Sequence, residues 1–141
     1  MDVHIKKLSP DAKLPQYAHP GDAGMDFFSL EDVVINPNES ALVKTGISMA
    51  IPLGHVGLIW DKSGIAAKHS VTSMGGVIDA GYRGEIQILL KNLGKQDFII
   101  TKHMKIAQML IQPVQSVPII EVDALDTTSR NLGGFGSTGT H

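Results

Sequence analysis

An all-β fold is predicted, a two-sheet barrel or jelly roll of short strands. Apolar residues fall in short runs separated by glycine, proline and asparagine, and no stretch carries an amphipathic helix of three turns. Strands are predicted near Val3 to Leu8, Met25 to Phe28 and Val33 to Ile35, with the turn formers His19-Pro20-Gly21-Asp22 between the first two. Asn36-Pro37-Asn38 then leads into a longer strand, Ala41 to Ile51, which Pro52-Leu53-Gly54 separates from Val56 to Trp60. A short helix suits Ser63 to Lys68, where Ser63 can cap Gly64-Ile65-Ala66-Ala67. Strand character returns at Glu85 to Lys91, stops at Asn92-Leu93-Gly94, and resumes at Asp97 to Ile100, Ile106 to Gln112 and Val117 to Val122.

The strand Lys105-Ile106-Ala107-Gln108-Met109-Leu110-Ile111-Gln112 is apolar on both alternating faces, whereas a sheet with one wet face alternates more cleanly. Either the second sheet of the same chain or another protein surface covers it, and the latter predicts a homo-oligomer. Gln108 sits between Ile106 and Leu110. Its amide needs partners, because a buried unsatisfied one costs about 1–3 kcal/mol. Neighbouring backbone would serve, as would a phosphate or an attacking water.

At 141 residues the chain is predicted to form one domain with a sizeable core of its own. Its net charge of −2 and pI of about 6.3 lack the basic excess of a protein that grips long nucleic acid by its phosphates. Small phosphorylated ligands stay compatible with that charge. With no cysteine, disulfides and thiolate chemistry are excluded. Met1-Asp2-Val3-His4-Ile5-Lys6-Lys7 has no signal-peptide core and no segment approaches a membrane span, so a cytoplasmic protein without membrane contact is expected.

Two segments concentrate groups that suit a nucleotide. Gly76-Val77-Ile78-Asp79-Ala80-Gly81-Tyr82-Arg83-Gly84-Glu85 reads as a hairpin with a carboxylate and a phenol near its tip, although Asp-Ala-Gly is also ordinary turn chemistry. Arg130-Asn131-Leu132-Gly133-Gly134-Phe135-Gly136-Ser137-Thr138-Gly139 resembles a mobile terminus in composition. Yet it also carries an aromatic ring, hydroxyls and an arginine, which are groups that donate to phosphate or stack on a base. No strand precedes its glycines as a dinucleotide fingerprint requires, and no lysine precedes Ser137 and Thr138 as a Walker loop requires. Asp26, in Ala23-Gly24-Met25-Asp26, and Lys62-Ser63-Gly64 at a helix start are further candidates, each also readable as solvated loop. The six histidines show no metal-ligand spacing.

In order, Ala23-Gly24-Met25-Asp26, Lys62-Ser63-Gly64-Ile65-Ala66, Gly76 through Glu85, Lys105-Ile106-Ala107-Gln108-Met109, and Arg130 through Gly139 resemble the five motifs of trimeric dUTPases. The match spans nearly the whole chain. It implies a distorted β-jelly roll over residues 1–126, with a glycine-rich arm at residues 127–141 that completes a neighbouring site in a homotrimer. The implied reaction is Mg²⁺-dependent hydrolysis of dUTP to dUMP and pyrophosphate, which keeps uracil out of DNA and supplies dUMP for thymidylate synthesis.

The resemblance also implies residue roles. Asp79 matches the carboxylate that orients and deprotonates the water attacking the α-phosphorus, and Tyr82 the ring that packs on deoxyribose and leaves no room for a 2′-hydroxyl. Backbone around Val77, Ile78 and Gln87 faces the uracil edge, while Ser63, Gly64 and Gln108 meet phosphates. Asp26 supports the hydrated metal and the basic side chain of Lys62. From the arm, Phe135 stacks on uracil and Arg130 meets the γ-phosphate, with Gly136, Ser137 and Thr138 along the phosphate chain.

Some positions depart from the family pattern. Lys62 stands where Arg is usual, keeping charge without a bidentate fork. Ser73 replaces a common substrate-facing Asn, Gly81 an acidic residue, and Asn131 a glycine. The related dCTP deaminases need a glutamate on the strand after the hairpin, where this chain has Leu89, which transfers no proton. A noncatalytic jelly-roll binding module is the alternative of a different class.

Overall fold

The computed structural model describes residues 1–140. Its ten strands are β1 His4–Lys7, β2 Met25–Phe28, β3 Val33–Ile35, β4 Ser40–Ala50, β5 His55–Trp60, β6 Val71–Ser73, β7 Val77–Ile78, β8 Glu85–Asn92, β9 Phe98–Ile100 and β10 Lys105–Pro113. One helix, α1 Ser63–His69, joins β5 to β6. Among the described residues no helix is long and apolar enough to cross a membrane.

The all-β expectation holds, and the strands form three sheets of order β1-β4-β8-β6, β2-β10-β5-β7 and β3-β9. Among the described residues no closed ring of strands joins them. Strand β8 shows why the sheets pack as they do: Ile86, Ile88, Leu90 and Asn92 point inward while Glu85, Gln87, Leu89 and Lys91 face outward. The inward set meets Phe27, Val43, Ile47, Ile100, Ile106 and Met109 in one continuous core. Burying a side chain of this size contributes about 1.5–3 kcal/mol. Asn92 is tolerated inside because its amide donates to Ile35 O and Gln96 O, both at 2.8 Å, and accepts from Gly94 N at 2.9 Å.

A bulge between Lys44 and Ser48 bends β4 against β8. At its centre Gly46 has φ 70, and a Cβ there would lie 2.8 Å from that of Ala12. The freed Gly46 N–H is taken by Glu85 Oε2 at 2.8 Å.

Several expectations are corrected. Val117 to Val122 is not a strand: it pairs with no sheet edge, and β10 just before it is already flanked by β2 and β5. That run is exposed, Ile119 at 97%. The segment around Asp79 is a turn but not a hairpin, since β7 pairs with β5 and β8 with β4 and β6. Ser63 does not cap α1. Lys62 occupies the cap position, and no side chain bonds the helix start. On β10, the chain itself buries Ile106, Ala107 and Met109 but leaves Leu110 and Ile111 half-buried.

Candidate active site

The turn after β7 builds a hollow of about 280 Å³ lined by Leu42, Val77, Ile78, Asp79, Tyr82, Glu85 and Gln87. Five of these residues are sequence-predicted site residues. The turn is closed by Tyr82 N–H donating to Asp79 O at 3.1 Å and braced by Arg83 Nη1, which donates to Ala80 O at 2.7 Å and Tyr82 O at 2.9 Å. Asp79 is left exposed at its start. The Tyr82 ring is held by its hydroxyl, which donates to Glu85 O at 2.8 Å. A Cβ at Gly84 would lie 2.5 Å from the Tyr82 hydroxyl oxygen, so a side chain there would displace the ring from this position. Because β7 ends its sheet, one edge of its backbone has no ladder partner.

A second cluster surrounds Asp26, the buried charge of β2. Lys62 Nζ donates to Oδ1 at 2.6 Å, and Lys105 Nζ stands 3.2 Å from Oδ2 without a well-directed hydrogen bond. Burial pushes the Asp26 pKa up, but the two ammonium groups outweigh it and hold the carboxyl below the usual aspartate range. Both lysines line a depression of about 240 Å³ with Gly64, Ile65, Lys68 and His69. Ser63 is exposed at the start of α1.

Gln108 takes the backbone option: its Nε2 donates to Asp61 O at 2.8 Å. Gly24 makes room for this side chain, since a Cβ there would fall 2.3 Å from Gln108 Oε1. Ser73 also turns to Asp61, donating from its hydroxyl at 2.6 Å. A backbone partner for Gln108 was one of the two expected options, but Asp61 was not named as the partner of either residue. Asp61, Lys105, Glu85 and Leu42 are the site-forming residues that the sequence reading passed over. Lys105 and Glu85 carried a signal, as charged end residues of quoted motifs.

The arm stays apart. Arg130 Nε donates to Gly133 O at 2.8 Å, while Thr128 and Asn131 exchange hydrogen bonds of 2.9 and 3.1 Å. Asn131 adopts φ 45, which asparagine tolerates better than most residues. Phe135 is fully exposed, as are Gly136, Ser137 and Thr138. Their recorded hydrogen bonds reach no residue before 128. Residue 141 of the predicted arm lies outside the described residues.

Acid should loosen this arrangement. Asp61, like Asp26, is raised by burial but lowered further by its donors Ser73 and Thr72, so both carboxyls ionise below the ordinary range. Their stabilisation is present above the ordinary value of about 3.9 and is lost as pH falls through the lowered ones. Tm is therefore expected to be insensitive to these groups at neutral pH and to fall below about pH 4. Melting curves across that range check it, and a Tm held constant down to about pH 2 contradicts it.

Residues 10–139 match the dUTPase family model. The chain is 55% identical to the deoxyuridine 5'-triphosphate nucleotidohydrolase of Clostridium tetani, over 97% of this chain and 96% of that one. It is 51% identical to the protein of that name from Clostridioides difficile, over 98% of each. Among solved structures, the Staphylococcus bacteriophage 80alpha dUTPase with dUPNHPP superposes with TM-score 0.93 at 32% identity, covering 99% of both chains. A mutant dUTPase from phage phi11 of S. aureus, described with a coordinated structural Mg(II) ion, gives 0.84 at 29% identity, over 90% of this chain and 100% of that one. A full-length match of sequence and fold, with five predicted residues gathered on one hollow, leaves a single conclusion: the chain belongs to the dUTPase family.

Proposed function

We propose that this protein hydrolyses dUTP to dUMP and pyrophosphate, with the hollow beside Asp79 receiving the deoxyuridine. That reaction is the activity of its family and the one its relatives are named for. The observation that carries the reading is the convergence of Val77, Ile78, Asp79, Tyr82 and Gln87 on one surface. The unpaired edge of β7 offers backbone donors and acceptors to the uracil edge. Backbone placed this firmly discriminates, because a base with the wrong pattern leaves buried polar groups unpaired. The Tyr82 ring, fixed by Glu85 and Gly84, packs on the deoxyribose and excludes a 2′-hydroxyl.

Asp79 orients the attacking water and accepts its proton. The water oxygen bonds to the α-phosphorus, the bond to the bridging oxygen breaks, and pyrophosphate leaves. A carboxylate is a weak base at neutral pH, so placing the water counts at least as much as removing its proton. Lys62, Ser63, Gly64, Ser73 and Gln108 are assigned to substrate contacts, chiefly phosphate.

Mg²⁺ fits this chain as an ion carried by the triphosphate. The described residues hold no group of three His, Cys, Asp or Glu side chains able to bind it alone. Asp26 Oδ2, buried and ion-paired with Lys105 Nζ at 3.2 Å without a well-directed hydrogen bond, keeps acceptor capacity that suits a metal-bound water. When bound, the ion offsets charge on the phosphates.

We assign residues 1–126 to a jelly-roll domain and 127–141 to an arm that closes the site of a neighbour in a homotrimer, acting in the cytoplasm. Three features support the arm and the trimer: the hydrogen bonds of Thr128 through Gly139 stay within the arm, Leu110 is half-covered, and Val117, Ile119, Ile120 and Val122 stand exposed. Arg130 then meets the γ-phosphate and Phe135 stacks on the base, with Gly136, Ser137 and Thr138 along the chain.

Pyrophosphate release from dUTP and Mg²⁺, with dCTP, dTTP and UTP as controls, tests the reading. Rapid turnover confined to dUTP is expected. Ammonia release from dCTP would make the protein a deaminase, and no turnover at all would leave a binding module. In the same assay Phe135→Ala should lower kcat/KM by about 5- to 150-fold, the equivalent of roughly 1–3 kcal/mol of stacking. Preference for uracil should survive, since every base has a π-face.

A further inference from the structure

Asp61 lies between the end of β5 and the start of α1, and three segments of the site converge on it. Its half-buried carboxylate accepts three hydrogen bonds at 2.6 Å. Oδ1 takes the backbone N–H and the hydroxyl of Ser73, and Oδ2 takes the hydroxyl of Thr72. Its main-chain carbonyl accepts from Gln108 Nε2 at 2.8 Å. The next residue, Lys62, reaches Asp26. Charge-assisted bonds this short belong to the strong class.

Their location gives them consequence. Thr72 and Ser73 sit on β6, a three-residue edge strand whose only ladder partner is β8, in the first sheet. Asp61 follows β5, which belongs to the second sheet. The carboxylate therefore ties the open side of β6 to the other sheet. Just beyond Ser73 the chain crosses between the sheets through Gly75 and Gly76, at φ 65 and 98. Gly76 O accepts from Ile59 N at 2.8 Å, and a Cβ on Gly76 would come within 3.0 Å of the Ile59 side chain. The crossing is held at Ser73 and at Gly76, and β7 and Asp79 follow directly.

We propose that Asp61 is a positioning residue for base selection: by clamping Ser73 and Thr72 it sets where the free edge of β7 stands, without itself touching the substrate. This rests on the dUTP hydrolysis reading above. Backbone recognition of a base edge depends on placement to a fraction of an ångström, and a displacement of about 1 Å in such machinery can cost about 10²-fold in rate. An edge free to shift loses more for the base it was set to read than for the base it rejects.

The test compares kcat/KM for dUTP with kcat/KM for dCTP in wild type, Asp61→Asn, Thr72→Val and Val71→Ala. Asparagine keeps the shape of the side chain but turns an N–H₂ donor toward Ser73 or Thr72, both donors. The dUTP preference is expected to narrow by at least about 10-fold in Asp61→Asn, and in the same direction in Thr72→Val. Val71→Ala lies on the same strand with its side chain in the core, and should lower Tm while leaving the preference as in wild type. A preference unchanged in Asp61→Asn and Thr72→Val, or narrowed equally in Val71→Ala, overturns the proposal. Should Asp61→Asn fail to fold, the nearly isosteric Thr72→Val decides by the same criterion. Selective dUTP turnover by wild type with an unmoved preference in the variants sinks only this inference. Wild type inactive on dUTP sinks the hydrolase reading and the inference together.

Discussion

Asp79→Asn should lower kcat for dUTP by at least about 10²- to 10⁴-fold, the usual range for loss of a general base. The substitution is close to isosteric and its site is an exposed turn, so the fold has little reason to respond. The turn is closed by main-chain and Arg83 contacts that do not use the Asp79 carboxylate. Tm is therefore expected within a degree or two of wild type, about ±0.5 kcal/mol. Dissociation constants for a non-hydrolysable dUTP analogue should move little by comparison. A variant that keeps near-full turnover would remove Asp79 from the chemistry, whatever its position in the hollow.

Asp26→Ala is expected to be the most damaging substitution for stability. It removes a buried carboxylate and leaves Lys62 and Lys105 facing each other without a counter-charge. Breaking a buried pair costs about 3–5 kcal/mol. Both lysine side chains keep some access to water, 29% and 44%, so they can turn outward and the lower figure applies. A loss of about 3 kcal/mol corresponds to roughly 10 °C in Tm for a domain this size. Calorimetry together with urea unfolding checks this, and a loss under about 1 kcal/mol would show that the pair is no more than a surface contact. Activity should fall too, because Lys62 loses the anchor that points it at phosphate.

Much of the fold was legible in the sequence where side chains alternate against a core. The strands at Met25 to Phe28, Val33 to Ile35 and Glu85 to Lys91 follow from apolar spacing bounded by turn residues, and the structure has them within a residue. Val117 to Val122 misled because β-branched residues mark a surface that packs well on neighbours, and not the presence of a neighbour. The Asp79 segment misled in the opposite sense. Two strands joined by a tight turn read as a hairpin, but whether they pair depends on which sheet each joins, and that is a long-range property.

The candidate site divides in the same way. Asp79, Tyr82, Val77 and Ile78 lie within six residues of one another, so local turn chemistry brings them together. Asp61 and Ser73, or Asp26 and Lys105, meet only because strands far apart in sequence become neighbours. Nothing in their residue types announces the meeting. The pairing of Lys62 with Asp26 came from the family resemblance and not from residue types; in the fold it follows from the registers that set Gln108 between Asp26 on β2 and Trp60 on β5.

The bare backbone edge of β7 also has a cost that selection must contain. Backbone groups left open at a sheet edge are open to an extended stretch of another polypeptide, the usual seed of β-aggregation. At two residues the strand offers too little length to template one, and the left-handed glycines before it interrupt any continuous run of extended chain. Lengthening β7 to strengthen the sheet would therefore trade solubility for rigidity at the edge assigned above to the base.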